Sequence, residues 1–597
     1  MSINEVLDQA FEALENKHYA EAADKFQTVL AADPTQVEAL HYLAVCQHAL
    51  KNTAQARDLF IQAAQLNPSD ADIYHNFFTC GYELYGQGLY AEAIAYFSAI
   101  IELNMDNLEQ SWIYLARSLR HSNQANECAN ALNQAVQRYP NNFPLRLENT
   151  FLFPQIYFST TEIEGWRKRF LQKLSELDSY LQPERIEAIQ ARGIDCDSPL
   201  FGIFAQGLNE RETTQEIGRI WEKMVPVAQS TPPPRLSASD KIRIGMVSPS
   251  FWNHSTMHYF LGVIQTLAQE KDLELTAFYL GGNQQDAITD RIKATVSHFE
   301  ILPWHLDPCL EILNRCAPDI LLYLDIGQDP FLYSLASNRM APVQCAMTGL
   351  PMTSGLHNLD YYLSGKAFEA PQAQAHYSEK LVLFEGPIVT YLPPPTPERI
   401  KTRTELSLPE DRHLYLFPMT LFRVDPEFEQ IIPEILRRDS EAEWLFISYR
   451  GLEKVLLEHY QGVFPELCDR IHFLPWLSQP DFLSLMAQVD VIMDSLRLGA
   501  GNLAFQAFWM DTPLVTLPSE FLRCRIGTGL YQLMGLDDGI AHDQQDYIEK
   551  ALKIATQPAY RQDLRQRIRA RKQILFNNPI YTQEMAAWFR TVHASKD

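Results

Sequence analysis

The pattern of hydrophobic and polar positions changes its character at Lys241. Before this residue, apolar side chains recur at helical spacing, which predicts amphipathic helices. After it, short apolar runs alternate with amphipathic segments, which predicts strands and helices in turn around a parallel sheet. The predicted strands are residues 242–247, 273–279, 320–324, 361–363, 414–417, 443–447, 471–473, 491–493 and 514–516. The expected fold class is therefore an α region followed by an α/β region.

A phrase of eight residues occurs three times in the first region, ending at Phe26, Phe60 and Phe97. These spacings are 34 and 37 residues, and Pro34 and Pro68 are also 34 apart. Such a period resembles the tetratricopeptide repeat, a solenoid of helical hairpins. We expect about four repeats in residues 1–144, with a longer helix or loop in the third. They form a groove for a polypeptide or, alternatively, a structural cap on the following domain.

Three further regions follow the repeats. Residues 145–240 keep a helical pattern without the repeated phrase, which predicts a helical connector that ends at the proline cluster of residues 230–234. Residues 241–392 and 393–597 each contain a set of predicted strands and are expected to form two Rossmann-like domains. Ligands bind at the carboxyl ends of strands in such sheets, so we expect a site in the cleft between them. The helices of residues 544–594 pack outside, where they can cross back to the first domain.

The glycine-containing loop of residues 499–502 separates an apolar run that ends at Asp494 from an amphipathic segment, a pattern typical of a βαβ unit. Gly499, Ala500, Gly501 and Asn502 are then expected at a helix N-terminus. Free backbone N–H groups and the helix dipole favour an anion such as a phosphate there. The alternative is that the two glycines only form a tight turn.

Arg423 lies in the motif that begins at Thr420 and follows a predicted strand. Asp425 is the expected N-cap of the next helix, with a proline in its first turn. A guanidinium beside this helix N-terminus can hold a diphosphate with two hydrogen bonds. The alternative is a surface arginine that pairs with Asp425 or Glu427.

His254 lies in the loop after the first strand of the first Rossmann-like domain and is expected to face the cleft. An imidazole there can accept a proton or orient a phosphate. The alternative for His254 is an N-cap or packing residue, and the same interpretation is favoured for His258. A further loop, with Gly349, Pro351, Thr353 and Ser354 offering backbone and hydroxyl donors, is a weaker candidate on its own.

The composition of the chain limits the classes of partner that it can bind. Hydrophobic residues make up 46% of the 597 residues, charged residues make up 21%, and the net charge of −24 argues against a nucleic-acid or anionic-membrane surface. The nine scattered cysteines lack a CxxC pair, so neither a disulfide framework nor a zinc site is indicated. The chain shows no signal-peptide pattern and no apolar run of about eighteen residues. We therefore expect a cytoplasmic protein without a membrane span, and an oligomer is not excluded.

Taken in order, several motifs between Lys241 and Leu536 resemble the protein O-GlcNAc transferases of glycosyltransferase family 41. That family also holds SPINDLY-type fucosyltransferases and bacterial adhesin N-glucosyltransferases. The motifs are Asn253-His254, Ala341-Pro-Val-Gln344, Gly349-Leu-Pro-Met-Thr-Ser-Gly355, Asp360-Tyr361, Tyr377-Ser-Glu-Lys380, Thr420-x-x-Arg423-x-Asp-Pro, Asp494, Thr512-Pro513, and Pro518-x-Glu520-x-x-x-x-Arg525.

This resemblance implies a GT-B pair of domains, the first on the acceptor side and the second on the nucleotide-sugar side. It implies an inverting, metal-independent transferase without a cofactor, which moves a sugar from a nucleotide sugar to Ser, Thr or Asn of a polypeptide. GlcNAc or glucose is favoured as the sugar. His254 matches the family's cleft histidine, Thr420 and Arg423 match its diphosphate-binding residues, and Gly501 and Asn502 match its nucleotide-side loop.

The sequence departs from the O-GlcNAc transferases at several of these positions. Arg423 replaces a lysine, Gln506 replaces a carboxylate that is fitted to ribose, and Gly501 and Asn502 replace a histidine and a threonine. A second cleft histidine is Asp319. These differences leave three alternatives open: a catalytically impaired repeat scaffold that retains a nucleotide-binding fold, a protein O-fucosyltransferase that uses GDP-fucose, and transfer to a small molecule or glycan.

Overall fold

The computed structural model describes residues 2–104, 109–194, 196, 198–226 and 241–595. The chain forms two compact units, Met1–Gln155 and Ile156–Asp597. The proline cluster at residues 230–234 and the predicted boundary at residue 240 lie outside the described residues, and the boundaries at residues 144 and 392 stay predictions. Within the described ranges, no helix has the length and apolar character needed to cross a bilayer.

The first unit is built from helices joined by short turns. The three extra residues of the third repeat lengthen one helix, α5, to 16 residues, whereas the corresponding helices α1 and α3 have 13. The helices of this unit are α1 (Ile3–Glu15), α2 (Tyr19–Ala32), α3 (Val37–Ala49), α4 (Thr53–Leu66), α5 (Ala71–Gly86), α6 (Tyr90–Glu102), α7 (Glu109–His121), α8 (Ala125–Arg138) and α9 (Phe143–Thr150).

The turn inside each hairpin of this unit has the same backbone geometry. Lys17, Lys51, Gly88 and Asn123 have positive φ angles of 60, 69, 77 and 55°. The N–H group of the following residue donates to a carbonyl five residues earlier, at 2.8 to 3.0 Å in all four turns. This arrangement is a Schellman-type helix end, which satisfies carbonyls that the helix leaves free. The repeat in the sequence is therefore a repeat of turn geometry as well.

The residues that revealed the repeat form the core of the first unit. Phe26, Phe60 and Phe97 are fully buried, as are the alanines four positions before each of them. The small alanine side chains let neighbouring helices approach, and the rings fill the space between hairpins. The Phe60 ring, for example, stacks on Phe77 of the next repeat with centroids 4.9 Å apart.

The second unit starts with a helical connector that contacts both sheet domains. Trp221 donates to the Ser334 hydroxyl in the first domain at 2.9 Å, and Arg497 of the second domain donates to the carbonyl of Gln206 at 2.7 Å. The connector helices are α10 (Thr160–Tyr180), α11 (Pro183–Arg192), α12 (Phe201–Phe204) and α13 (Arg211–Met224).

The first sheet is parallel throughout, with strand order β3-β2-β1-β4-β5-β6-β7. Because β1 pairs with both β2 and β4, the strand order reverses between β1 and β4 and opens a crevice at their carboxyl ends. The elements are β1 (Ile242–Ser248), α14 (Ser255–Leu267), β2 (Leu273–Leu280), α15 (Ala287–Thr295), β3 (His298–Leu302), α16 (Leu306–Cys316), β4 (Ile320–Tyr323), α17 (Pro330–Ala336), β5 (Val343–Ala346), β6 (Tyr361–Gly365) and β7 (Lys380–Phe384).

The second sheet is also parallel, with order β10-β9-β8-β11-β12 and a reversal between β8 and β11. Its elements are β8 (His413–Phe417), α18 (Pro426–Glu429), α19 (Ile431–Arg438), β9 (Ala442–Ile447), α20 (Leu452–Val463), β10 (Ile471–Leu474), α21 (Gln479–Gln488), β11 (Val491–Met493), α22 (Asn502–Trp509), β12 (Leu514–Val515), α23 (Ile526–Leu533), α24 (Gln544–Thr556), α25 (Pro558–Arg571) and α26 (Ile580–Ala594).

All nine predicted strands match observed ones, but β3, β5 and β7 were not predicted. The edge strands β3 and β7 bury only their last residue fully, so they lack the continuous apolar run that marks a central parallel strand. β5 is only four residues long and includes a glutamine. Tertiary pairing rather than local pattern defines these three strands.

The last helix, α26, returns to the first sheet domain. It packs against α14 and β7. Arg590 on α26 forms ion pairs with Glu270 and Asp272, both at 2.6 Å, and Trp588 contacts the Tyr361 ring. The last of the C-terminal helices thus crosses back to the first domain, as the sequence analysis allowed, and the bounds of the second domain, residues 393–597, stay a prediction.

Candidate active site

A cavity of about 590 Å³ lies between the two sheets, within the usual volume range of small-molecule sites. It is lined by the loops that follow β1, β8 and β11, which are the loops at the two reversals of strand order. Eight of the predicted site residues line this cavity: Gly349, Pro351, Thr420, Arg423, Gly499, Gly501, Asn502 and Gln506.

Arg423 lies in the turn after β8, and its side chain faces the loop after β11. Its Nη1 donates to the Gly499 carbonyl at 2.9 Å, and its buried Nε has no hydrogen-bond partner among the described residues. Burial lowers the pKa of the guanidinium to about 10, while the nearby Asp494 carboxyl opposes this effect. An anion in the cavity would offset the cost of burying this charge.

The alternative pairing of Arg423 with an acidic neighbour does not occur. Asp425 caps α18 and accepts two backbone N–H groups, as predicted. Glu427 pairs with Arg497 at 3.0 Å, and Asp425 lies 3.9 Å from the same guanidinium. Glu427 is thus paired with Arg497 and Asp425 is engaged in the helix cap, whereas Arg423 lines the cavity.

The loop after β11 leads into α22, which begins at Asn502 with Gly501 as its N-cap. The prediction that Ala500 contributes to the ligand site is wrong, because Ala500 is fully buried and its amide donates to Asp494 Oδ1 at 2.7 Å. Asp494 also accepts from the Thr516 hydroxyl at 2.8 Å, and burial raises its pKa to about 6. These hydrogen bonds of Asp494 thus hold the loop after β11 in place.

Asn502 joins the two halves of the site. Its Nδ2 donates to the Ser255 carbonyl at the start of α14 at 2.8 Å, so the loops after β1 and β11 meet. One helical turn further on, Gln506 lines the cavity and is almost fully buried. Its amide is uncharged and can both donate and accept hydrogen bonds.

His254 does not line the cavity, and the prediction that it faces the cleft is wrong. It is the N-cap of α14, and its Nδ1 accepts from the Thr256 amide at 3.3 Å. His258 lines the cavity instead, one turn into the helix. Its Nε2 donates to Asn253 Oδ1 at 2.8 Å, which leaves Nδ1 as the basic nitrogen, and burial lowers its pKa.

The loop after β5 contributes only its first half to the cavity. Gly349 and Pro351 line it, but Thr353 and Ser354 are buried and do not. The Thr353 hydroxyl donates to Glu379 at 2.6 Å, and the Ser354 amide donates to the same carboxylate at 2.8 Å. The prediction that these two hydroxyls face a ligand is therefore wrong, because they anchor the loop to the residue preceding β7.

Gly349 is required by the packing beneath it. An added Cβ would lie 2.6 Å from the Asp325 Cα and within hard contact of the Leu324 carbonyl oxygen. Asp325 is fully buried, accepts from the Ser248 hydroxyl at 2.9 Å through Oδ2, and has no partner at Oδ1 among the described residues. Burial raises its pKa to about 7.

Asp319, predicted at a cleft position, lies at the opposite edge of the first sheet. It directly precedes β4, whereas the cavity is at the carboxyl ends of the strands. Its carboxylate pairs with Arg243 at the start of β1 at 3.1 Å. The residue therefore stabilises the strand pair and does not replace a cleft histidine.

Several residues that line the cavity were not predicted from the sequence. Phe201 and Phe204 come from α12 of the connector, and the Phe201 ring contacts Phe422 with centroids 5.4 Å apart. Nothing local in the connector signals this role. Trp476 and Arg523 follow β10 and β12, so the rule that ligands bind beyond the carboxyl ends of strands would have found them.

Comparison with known proteins agrees with this geometry. The model of glycosyl transferase family 41 matches residues 229–388 and 393–585, more than half of the chain. The chain belongs to glycosyl transferase family 41. Tetratricopeptide-repeat models match residues 13–76 and 110–142. The family 41 fold is thus preceded by the helical repeats that the sequence predicted.

Curated relatives from the same family are longer than this chain. A probable UDP-N-acetylglucosamine–peptide N-acetylglucosaminyltransferase SEC from Arabidopsis thaliana is 27% identical over 346 residues, 55% of this chain and 34% of that protein. A probable transferase SPINDLY from Petunia hybrida is 21% identical, over 58% of this chain and 38% of that protein. The matches thus span little more than a third of these relatives.

A solved structure extends the likeness to the whole fold. A lysine-to-methionine mutant of O-GlcNAc transferase from Thermobaculum terrenum superposes with a TM-score of 0.53 and 19% identity. The superposition covers 98% of this chain and 96% of the other. It confirms the predicted order of a helical repeat region followed by a GT-B pair of Rossmann-like domains.

Proposed function

We propose that this protein is an inverting glycosyltransferase that moves GlcNAc or glucose from a nucleotide sugar to Ser, Thr or Asn of a polypeptide. The observation that carries the proposal is Arg423, a partly buried guanidinium that lines the cavity and whose Nε has no partner within the described ranges. It lies against the loop that opens α22, where backbone N–H groups also favour an anion. These features suit the diphosphate of a nucleotide sugar.

The reaction would be a direct displacement at the anomeric carbon. An acceptor oxygen or nitrogen attacks, the bond to the diphosphate breaks, and the nucleoside diphosphate leaves with the electron pair. Arg423 and the start of α22 would stabilise the charge that develops on the leaving group, an effect usually worth several kcal/mol. We propose that no metal ion is needed, because Arg423 supplies the positive charge.

The second domain would hold the nucleotide. Ile447 ends β9, Tyr449 follows it, and Trp476 and Phe482 lie beyond β10, so an apolar and aromatic wall faces the cavity. Such a wall suits a base, because every base presents a π face. Gln506, on α22, is then available to hydrogen-bond ribose hydroxyls in place of a carboxylate. The sugar would face Gly349 and Pro351.

We propose His258 as the proton acceptor, in place of His254. The imidazole of His258 lines the cavity, and its Nε2–H group is held by Asn253. Because burial lowers its pKa, it is neutral at neutral pH and able to take a proton.

The tetratricopeptide repeats would bind the acceptor polypeptide. This proposal is supported by the repeat architecture, which forms extended binding surfaces in other proteins, and by the peptide acceptors in the names of the Arabidopsis and Petunia relatives. A cytoplasmic location stays a prediction from composition.

Calorimetric titration of UDP, GDP, UDP-GlcNAc, UDP-glucose and GDP-fucose tests the proposal, with EDTA present throughout. We expect selective micromolar binding of a uridine nucleotide that is lost in Arg423→Ala. Arg437→Ala is the matched control, because Arg437 is an exposed arginine of the same domain whose ion-pair partner in the described part of the chain is Glu466. Unchanged affinity in Arg423→Ala would refute the diphosphate assignment.

The same titration separates the alternatives. Selective binding of GDP-fucose would favour the O-fucosyltransferase. Binding of a nucleotide sugar without transfer to any peptide in a random library would favour the impaired scaffold. A requirement for Mg²⁺ or Mn²⁺ would contradict metal independence, and NMR analysis of the anomeric configuration in the product tests inversion.

A further inference from the structure

Arg523 is a second arginine in the cavity wall, and the proposed reaction does not use it. It lies in the turn after β12, is 3% exposed, and lines the cavity beside Leu498 and Phe204. Its guanidinium stacks on the Phe521 ring at 4.4 Å. An arginine buried to this extent normally has a carboxylate partner, because an unpaired buried charge is costly.

Arg523 has no carboxylate partner among the described residues. Its Nη2 donates to the Leu208 carbonyl of the connector at 2.6 Å, and its buried Nε has no partner. The charge of Glu210 acts on Arg523, but Glu210 is already held by Arg167 through two hydrogen bonds of 2.9 Å. The guanidinium is thus left with one uncharged acceptor.

Arg523 and Arg423 lie on either side of the same residue but face different surroundings. Gly499 accepts from Arg423 Nη1 and donates its N–H to the Arg523 carbonyl, both at 2.9 Å. The groups whose charges act on Arg423 are Asp494, Cys524 and Tyr449, all in the second domain. Cys524 also acts on Arg523, but the other groups acting on Arg523 are Glu210 and Arg167 of the connector and Tyr377 of the first domain. The two arginines therefore suit two separate anions.

Two other arginines of the second domain show what a purely structural role looks like. Arg525 lies outside the cavity and donates to the carbonyls of Phe368 and Ser519 at 3.1 and 3.0 Å. Arg565 also lies away from the cavity, and its Nε, like that of Arg523, has no partner among the described residues, but both of its terminal nitrogens donate to backbone carbonyls, those of Ala487 and Val489. Arg523 has one such bond and borders the cavity.

We propose that Arg523 is a substrate-recognition site for a carboxylate, carried either by an acidic residue of the acceptor polypeptide or by a uronic acid that is transferred in place of GlcNAc or glucose. The planar edge of a guanidinium matches a carboxylate through two parallel hydrogen bonds, whereas the diphosphate is already assigned to Arg423. This inference rests on the proposed function and adds a specificity to the same cavity.

Two donor nucleotides that differ only in a carboxylate test the sugar as its source. UDP-glucose and UDP-glucuronic acid are titrated into the wild-type full chain, Arg523→Met, Arg523→Lys and the control Arg565→Lys. If the sugar carries the carboxylate, Arg523→Met weakens binding of UDP-glucuronic acid by tenfold to a hundredfold and leaves UDP-glucose unchanged. Arg523→Lys keeps the charge but loses the paired geometry, so we expect an intermediate loss.

The acceptor is tested with a random peptide library and the donor that binds. If the acceptor carries the carboxylate, products of the wild type are enriched in Asp and Glu near the modified residue, and those of Arg523→Met are not. Equal losses for UDP-glucose and UDP-glucuronic acid, or no change in either donor affinity or peptide preference, would overturn the proposal and leave Arg523 a packing residue.

Malonate separates a failure of this proposal from a failure of the proposed function. It is a free dicarboxylate and needs no nucleotide site. If UDP does not bind, the nucleotide-sugar proposal fails, but malonate should still raise the melting temperature of the wild type and of Arg565→Lys, and not that of Arg523→Met. The absence of this difference would overturn the carboxylate site as well.

Discussion

Replacement of Arg423 by methionine separates a ligand-binding arginine from a structural one. Methionine keeps an unbranched side chain of similar length but removes the charge and every donor. If Arg423 serves the protein's own stability, the unliganded variant should unfold more easily. If it is held for an anion, the variant should be as stable as the wild type and should lose only its response to the nucleotide.

The expected sizes follow from the surroundings of the guanidinium. Burial lowers the pKa of Arg423 from 12.5 to about 10, which corresponds to a cost of about 3 kcal/mol for holding its charge in the empty cavity. The bond to the Gly499 carbonyl returns about 1 kcal/mol. Removal of the guanidinium in Arg423→Met should therefore leave the stability of the unliganded protein unchanged or raise it. Two charge-assisted bonds to a diphosphate contribute roughly 3 kcal/mol or more, so UDP should bind more than about a hundredfold more weakly.

Thermal unfolding with and without UDP measures both effects. At a UDP concentration of about one hundred times the dissociation constant, the wild type gains about 2.7 kcal/mol. A variant that binds a hundredfold more weakly gains only about 0.4 kcal/mol at the same concentration. Full stabilisation of Arg423→Met by UDP would refute the diphosphate role. A loss of several kcal/mol without ligand would show that the arginine is structural.

Three further predictions concern the walls of the cavity. His258→Ala should lower kcat by about a hundredfold. His254→Ala should lose the helix cap and with it about 1 kcal/mol of stability, but keep its activity per folded molecule. Peptide-transfer rates, measured together with melting curves for both variants, show which histidine accepts the proton. Burial raises the pKa of Asp325 to about 7, so the stability associated with its protonated form is present below about pH 4 and lost as the pH rises through 7. Asp325→Asn should therefore melt at a higher temperature than the wild type at pH 8, but not at pH 4. Equal pH profiles would contradict this. Gly349→Ala should lower the melting temperature, while Gly501→Ala, whose added Cβ meets nothing within 4 Å, should keep it; equal losses would show that the steric argument is wrong.

Local patterns in the sequence determined the elements of this fold. The repeated phrase predicted the helical hairpins because the same few positions must be small or apolar wherever two helices cross. The run of residues 489–517 predicted strand, loop, helix and strand, and the start of α22 at Asn502 agrees with it. The position of Arg423 beside a helix N-terminus also followed from the chain alone, because a cap signal and the end of a strand are both local.

Tertiary structure decided which side chains reach the cavity. His254 and His258 are one helical turn apart, and the sequence could not show which of them faces outward from the packed sheet. Thr353 and Ser354 turn toward Glu379, a partner 25 residues or more away. Phe204 and Arg523 line the same wall although more than three hundred residues separate them. The direction of a side chain depends on what packs against its element, and that is settled only when distant parts of the chain meet.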